Sequence, residues 1–167
     1  MHFPSNMKKI ILGIDPGYGR TGYGVIEVEG SKLISIDYGV IETSSGDEFI
    51  QRLKELHKEL KKIIKKHNPD LIAVEDLFFY NNAKTAIKVG QARGVILLTA
   101  VNSNIQVHEL TPLQVKQGIC GYGQADKLQV GKMVKTILRL KEIPKPDDAA
   151  DALAIAVCAS SIKLLKT

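Results

Sequence analysis

The sequence predicts an α/β fold: one mixed five-stranded sheet, an antiparallel three-strand meander plus parallel strands, flanked by helices on both faces. Three observations lead there. Short β-branched runs open the chain and are separated by Pro-Gly and Gly-Ser turn signals. Apolar residues then recur at helical spacing over two long stretches. Each of those stretches leads into another short apolar run, the pattern of a right-handed crossover between parallel strands.

The chain has 167 residues, enough for one domain with a sizeable core, and 44% hydrophobic and 25% charged residues. Repeats and low-complexity segments are absent. The formal charge is +5 and the pI near 9.1, which fits a polyanionic partner without requiring one. Cys120 and Cys158 form no CxxC pair, which points to a reducing compartment and away from zinc or a disulfide framework. The most apolar late run, AADALAIAVCA, is too short to cross a bilayer and contains Asp151. A soluble, cytoplasmic, single-domain protein is expected, with residues 1–6 as a leader outside the core.

KKIILGID reads as a buried strand ending on Asp15. Gly17, Gly19 and Gly22 then spell G-x-G-x-x-G, the dinucleotide fingerprint, which needs a helix opening at the glycines. The segment TGYGVIEVE, at and beyond the last of them, carries no helical stripe and reads as a strand; Gly30-Ser31 turns into a third, KLISIDYGVIE. The glycines are therefore read as turn residues. Phe49, Leu53, Leu56, Leu60, Ile63 and Ile64 mark an amphipathic helix, with Ser45 and Glu48 at capping-box spacing and Asn68-Pro69 as its stop. The cluster Lys61, Lys62, Lys65 and Lys66 reads as its wet face.

DLIAVE is the fourth strand, ending on Glu75, followed by the aromatic run Leu77-Phe78-Phe79-Tyr80. A long helix is expected over 83–101, then the strand IQVHEL, and a short helix opened by Thr111-Pro112. GICGYGQAD reads as a loop, and helices over 125–140 and 147–164 complete the chain.

Four acidic residues occupy positions where acids are costly. Asp15 and Glu75 end buried strands, and ligands of such sheets bind beyond the strands' carboxyl ends. Asp148 and Asp151 lie three apart, on one face of an Ala- and Leu-rich helix. Gathered carboxylates raise one another's pKa unless a cation is present. Magnesium, a hard ion that prefers oxygen ligands, resolves that conflict, and two such ions can drive phosphodiester hydrolysis. Simpler roles exist for three of them, Asp15 as a turn former, Glu75 as a surface residue and Asp148 at the positive helix end, and for the neighbouring Asp147 as a helix N-cap, whereas Asp151 interrupts a small-residue apolar helix.

The segments GIDPGYGRTGYGVIE, AVEDLFFYNNAKTAIKVGQARG, QVKQGICGYGQADKLQV and DDAADALAIA together resemble the RuvC family of Holliday-junction resolvases, in order and over nearly the whole chain. The resemblance implies a ribonuclease-H-like fold and a homodimer. It implies a magnesium-dependent endonuclease, two ions per site with manganese able to substitute, that nicks two strands of like polarity at a four-way DNA junction. The family's acidic set falls on Asp15, Glu75, Asp148 and Asp151. Its third position can be His and here is Asp; Asp147 is the ambiguous neighbour. Tyr18 stands where Ser is more usual.

The resemblance also places Phe78 against bases near the crossover, where aromatic stacking gains about 1–3 kcal/mol per base. Lys116 and Lys127 match positions that face the DNA backbone, and Phe79 reads as core. Arg93 lies in the matched QARG stretch with its role open. The family's dimer contact runs along the helix that carries Gly90 and Gly94, although these glycines could equally pack on the chain's own sheet. The RuvA/RuvB branch-migration helicase is the implied partner. Rival readings are an RNA/DNA-hybrid nuclease, an actin-like ATPase that would need a second lobe, and a non-catalytic junction binder.

Overall fold

The computed structural model describes residues 8–76 and 83–162. The expected helix end at 163–164, the 1–6 leader and the aromatic residues Phe78 and Phe79 lie outside the described residues. Among the described residues five strands are formed: β1 (Lys9–Asp15), β2 (Arg20–Glu29), β3 (Lys32–Glu42), β4 (Leu71–Glu75) and β5 (Gln106–Leu110). They make one sheet in the order β3-β2-β1-β4-β5. The meander β1-β2-β3 is antiparallel, and β4 and β5 add in parallel to β1. The mixed sheet expected from the sequence is thus present.

Two helices cover one face: α1 (Phe49–His67) and α2 (Ala83–Asn102). Their core includes Leu56, Leu60, Ile96 and Ala100 against Leu12, Ile14 and Val74. The other face carries α3 (Pro112–Cys120), α4 (Lys127–Ile137) and α5 (Asp147–Ser160), packed on Ile11, Ile26, Leu71 and Ala73. Side chains alternate along a strand, so consecutive residues of β1 and β4 serve opposite cores. Ile11 and Gly13 face α5, while Leu12 and Ile14 face α1 and α2. The next residue, Asp15, falls on the α5 side. Leu71 and Ala73 put Glu75 there by the same parity.

Several local expectations need correction. Gly22 is not a turn residue: it lies with Gly24 inside β2, under α5. A Cβ on Gly22 would stand 2.0 Å from the Asp148 carbonyl oxygen, and one on Gly24 2.7 Å from the Leu153 nitrogen. Gly13 clears the same helix, with Ala152 O 2.1 Å from where its Cβ would lie. These glycines are a floor on which the alanine-rich α5 lies against the backbone of β1 and β2.

Ser45 and Glu48 do not cap α1, because a turn closed from Asp47 N to Ser44 O delays the helix to Phe49. Glu48 then occupies the N-cap position without a side-chain cap bond. Asp147 is not an N-cap either; Pro146 holds that position, and Asp147 and Asp148 lie in the first turn, where the helix dipole favours them. The predicted loop is shorter, since α3 continues through Cys120 and ends at Gly121 in a left-handed conformation. A capping box between Asp126 and Gln129 sets the start of α4 at Lys127 rather than Ala125. Thr111 and Gln114 form the corresponding box at α3, in keeping with the Thr-Pro start.

Other expectations hold. Asn68, at φ 47°, ends α1. On the wet face of that helix Lys62 pairs with Glu59 and Lys66 with Asp37. Both cysteines are free thiols. Packing against the chain's own sheet is not the reason for Gly94: a Cβ there would meet nothing within 4 Å. No helix among the described residues is long and apolar enough to cross a membrane.

Candidate active site

The site grows from one edge of the sheet. Parallel pairing matches Ile14 with Val74, so one residue further Asp15 and Glu75 stand side by side at the ends of β1 and β4. Across the antiparallel pair Asp15 faces Gly22, and Gly22 lies beneath Asp148. The glycine floor therefore brings the first turns of α5 over Asp15 and carries Asp148 and Asp151 toward it. Asp15, Glu75 and Asp151 line one cleft with Lys116 and Lys127, walled by Pro112, Val115 and Val130. Asp148 borders an adjoining shallow cleft with Arg20, Lys127 and Lys145.

Burial decides the electrostatics of the three carboxylates in the cleft. Desolvation, then repulsion from Glu75, Asp151 and Asp148, pushes Asp15 up to about 8. Burial, then Asp151, pushes Glu75 up to about 7. Burial also raises Asp151, opposed by Lys127, whose Nζ donates to Asp151 Oδ2 at 3.2 Å. Lys127 is itself held protonated, chiefly by Asp151. Three acids share the cleft with two ammonium groups, Lys116 and Lys127, so all three can ionise together only if further positive charge enters.

That requirement is the test of whether these residues suit a metal. The donor set is all oxygen, supplied by three elements, which is the chemistry a hard divalent cation takes. Among the described residues no three His, Cys, Asp or Glu side chains are already arranged around one point so as to hold an ion. Lys127 on Asp151, together with mutual repulsion, accounts for an open arrangement. The donors fit a divalent cation in kind.

Two arginines also converge on this edge, Arg20, which the sequence does not mark, and Arg93, whose role it leaves open. Arg20 lies 3.5 Å from Asp148 Oδ2 and 3.4 Å from Glu42. Arg93 donates from Nε to the Glu75 carbonyl (3.3 Å), and its Nη2 pairs with Asp76 (3.2 Å) and with Glu109. Sequence offers little sign of such contacts, since they join residues 16 to 128 positions apart through the sheet. Phe78, assigned to the bases, lies outside the described residues.

Comparison with known proteins identifies the family. The family described as "Crossover junction endodeoxyribonuclease RuvC" matches residues 11–159. A protein of that name from Caldicellulosiruptor saccharolyticus is 58% identical, over 89% of this chain and 90% of its own. Another from Alkaliphilus oremlandii is 56% identical, over 89% of this chain and 91% of its own. Among solved structures, Thermus thermophilus RuvC in complex with Holliday junction substrate superposes with a TM-score of 0.86 at 38% identity, covering 91% of this chain and 93% of that one. Yeast mitochondrial Ydc2, at 17% identity and a TM-score of 0.65, shares the fold. With a family match over nearly the whole chain and relatives above half identity, this chain belongs to the RuvC family of crossover junction endodeoxyribonucleases.

Proposed function

We propose that this protein resolves four-way DNA junctions by hydrolysing one phosphodiester in each of two opposed strands of like polarity, in recombination and repair. The observation that carries the reading is the convergence of Asp15 and Glu75 with Asp151, and beside them Asp148, at one sheet edge beside Lys116 and Lys127. The solved neighbour bound to a Holliday junction supports the substrate.

RuvC nucleases are in general dependent on divalent metal. Asp15, the most central carboxylate, would hold magnesium together with Glu75 and Asp151, with Asp148 completing a site or assisting proton transfer. When bound, such ions activate water and stabilise the leaving oxygen. The chain's own residues do the rest. The apolar wall of Val115 and Val130 limits water around the acids. Lys116 and Lys127 border the cleft, Lys127 on Asp151, and both would face the DNA backbone once a cation took its place beside that carboxylate. Phe78 would stack on bases at the crossover. Manganese can replace magnesium in this scheme.

Paired cuts need two sites related by a two-fold axis. On α2 Ile87, Leu98 and Val101 are exposed along a stripe that passes Gly94. That apolar face, open at Gly94, supports a homodimer through α2, working in the cytoplasm with a branch-migration helicase of the RuvA/RuvB kind.

The deciding experiment is cleavage of a labelled four-way junction beside linear duplex and RNA/DNA hybrid, with and without magnesium. Symmetric nicks confined to the junction and dependent on the ion are expected. Cutting of the hybrid alone would move the protein to the ribonuclease class, and binding without cutting would leave a junction-binding module. Asp151→Asn should bind the junction and fail to cut it.

A further inference from the structure

The carboxylate edge has two sides. On the α3–α4 side stand Lys116 and Lys127. On the other side, the turn after Asp15 carries Tyr18, which packs with the α1–α2 core. Arg52 Cζ lies 5.1 Å from the centre of the Tyr18 ring and Lys88 Nζ 5.6 Å from it. Lys88 is equally 5.6 Å from the ring of Phe49, which meets Tyr18 edge-on at 6.1 Å. Three elements thus place two cations on one aromatic pair.

Neither cation is neutralised: among the described residues no carboxylate pairs with Arg52 or Lys88. Lys88 is exposed and Arg52 partly so. The Arg52 guanidinium is also oriented. Its Nε donates to Thr43 Oγ1 at 3.0 Å, and that hydroxyl donates to the Tyr18 carbonyl at 2.8 Å. The same threonine's amide bonds to Gly19 O at 3.0 Å. With Nε engaged, the terminal nitrogens remain as donors on a fixed plane, the arrangement in which arginine takes an oxyanion. Ring faces hold cations at modest cost in flexibility, each contact contributing through the ring quadrupole.

A bridging carboxylate would be the expected partner if this cluster served only to tie α1 to α2. Instead the charges are left for a ligand. The ligand class follows from position: the cluster belongs to the turn that begins at Asp15, whose other side is the cleft. A strand threaded across the carboxylates must leave it on one bank or the other.

We propose that Tyr18, Arg52 and Lys88 form a second phosphate-binding bank, which takes the sugar-phosphate backbone of a DNA strand on the side of the sheet edge opposite Lys116 and Lys127. This rests on the nuclease reading above. Arg52 and Lys88 contact phosphate oxygens, and Tyr18 with Phe49 fixes where they stand. Recognition is of backbone, so it is independent of sequence.

The test is the salt dependence of DNA affinity, measured without divalent ions on both a four-way junction and a linear duplex. Each lost phosphate contact reduces the slope of log K against log salt by about 0.9. Lys88→Gln, an exposed change, should lower the slope by about one unit on either DNA, and Arg52→Gln with Lys88→Gln by about two. Tyr18→Leu should weaken binding several-fold while Tyr18→Phe does not. Lys61→Gln with Lys65→Gln, on the wet face of α1, is the control of equal charge and should leave the slope unchanged.

Slopes unchanged in the Lys88 and double variants, whatever their melting temperature, would overturn the proposal and leave a brace between helices. An equal fall in the control pair would overturn it too, since net charge alone would then account for the effect. Absence of junction preference in the parent protein would count against the resolvase reading instead, and the duplex slopes would still decide the bank.

Discussion

Gly22 lies directly beneath Asp148: a Cβ at the glycine would stand 2.0 Å from the Asp148 carbonyl oxygen and 2.5 Å from its carbon. Gly22 is also the cross-strand partner of Asp15. One missing side chain therefore sets the spacing between two of the site's acids. The alanines of α5 and the glycines of β1 and β2 are the two halves of that contact, and the backbone of the helix, rather than its side chains, meets the sheet.

Gly22→Ala should accordingly damage the site as well as the fold. Backbone cannot yield as a flexible side chain does, so α5 must lift or tilt. Overpacking of this kind costs about 1–3 kcal/mol. Urea denaturation is expected to show that loss, and junction cleavage a fall of at least about tenfold even where the variant is fully folded. Parental cleavage in the folded variant would mean that α5 need not approach β2 so closely.

Burial of uncompensated acids predicts a pH dependence of the metal-free protein. Asp15 titrates at about 8 when folded against 3.8 as its ordinary value, and Glu75 at about 7 against 4.5. Between roughly pH 4 and pH 8 the folded state therefore binds more protons than the unfolded state, and stability falls as pH rises. Thermal melts in chelator should decline across that window. Asp15→Asn should flatten the decline and leave the variant more stable than the parent at pH 8. Divalent ion added at pH 8 should restore the parent. Parallel pH curves for parent and variant would show that Asp15 is not the group responsible.

Lys127 sits in competition. Its Nζ is 3.2 Å from Asp151, although the side chain is 70% exposed, so the ion pair itself contributes little to stability. It does occupy a carboxylate that the proposed function assigns to the metal. Lys127→Gln should therefore tighten binding of magnesium, measured by calorimetry without DNA, by about two- to tenfold. The same change should weaken DNA binding and reduce its salt slope by about one. Unaltered metal affinity would indicate that Lys127 does not contend with the ion for Asp151.

These contacts mark where the sequence stops being informative. The strands ending on Asp15 and Glu75 were legible because an acid after a β-branched run breaks an otherwise apolar pattern, and the meander could be read from its turn residues. Asp151 stood out as one charge among alanines. The role of Gly22 and Gly24 was not legible: a glycine that admits a helix 126 residues later looks the same as one that makes a turn. The expected Ser45–Glu48 box failed for a related reason, since spacing fits a cap only if the chain is helical there, and a competing turn at Ser44–Asp47 decides otherwise. Lys127 was legible as a basic residue but not as the partner of Asp151, because the capping box at Asp126 aims it.

Arg93 gives the most informative variant outside the cleft, because it touches the site only through backbone. It donates to the carbonyl of Glu75 and pairs with Asp76 and Glu109 at the ends of β4 and β5. The Asp76 and Glu109 side chains are 45% and 52% exposed, so losing the guanidinium leaves them solvated and costs only about 1 kcal/mol of stability. The larger effect falls on Glu75, whose carboxylate position depends on that held peptide. Arg93→Met keeps the stem and removes the donors; it should raise the metal concentration needed for half-maximal cleavage about tenfold and lower kcat, with DNA affinity in chelator nearly unchanged. Arg93→Lys should not restore activity, since one ammonium cannot reproduce a fork that reaches a carbonyl and two carboxylates. Loss of DNA affinity in place of the shift in metal dependence would show that Arg93 faces the nucleic acid rather than positioning Glu75.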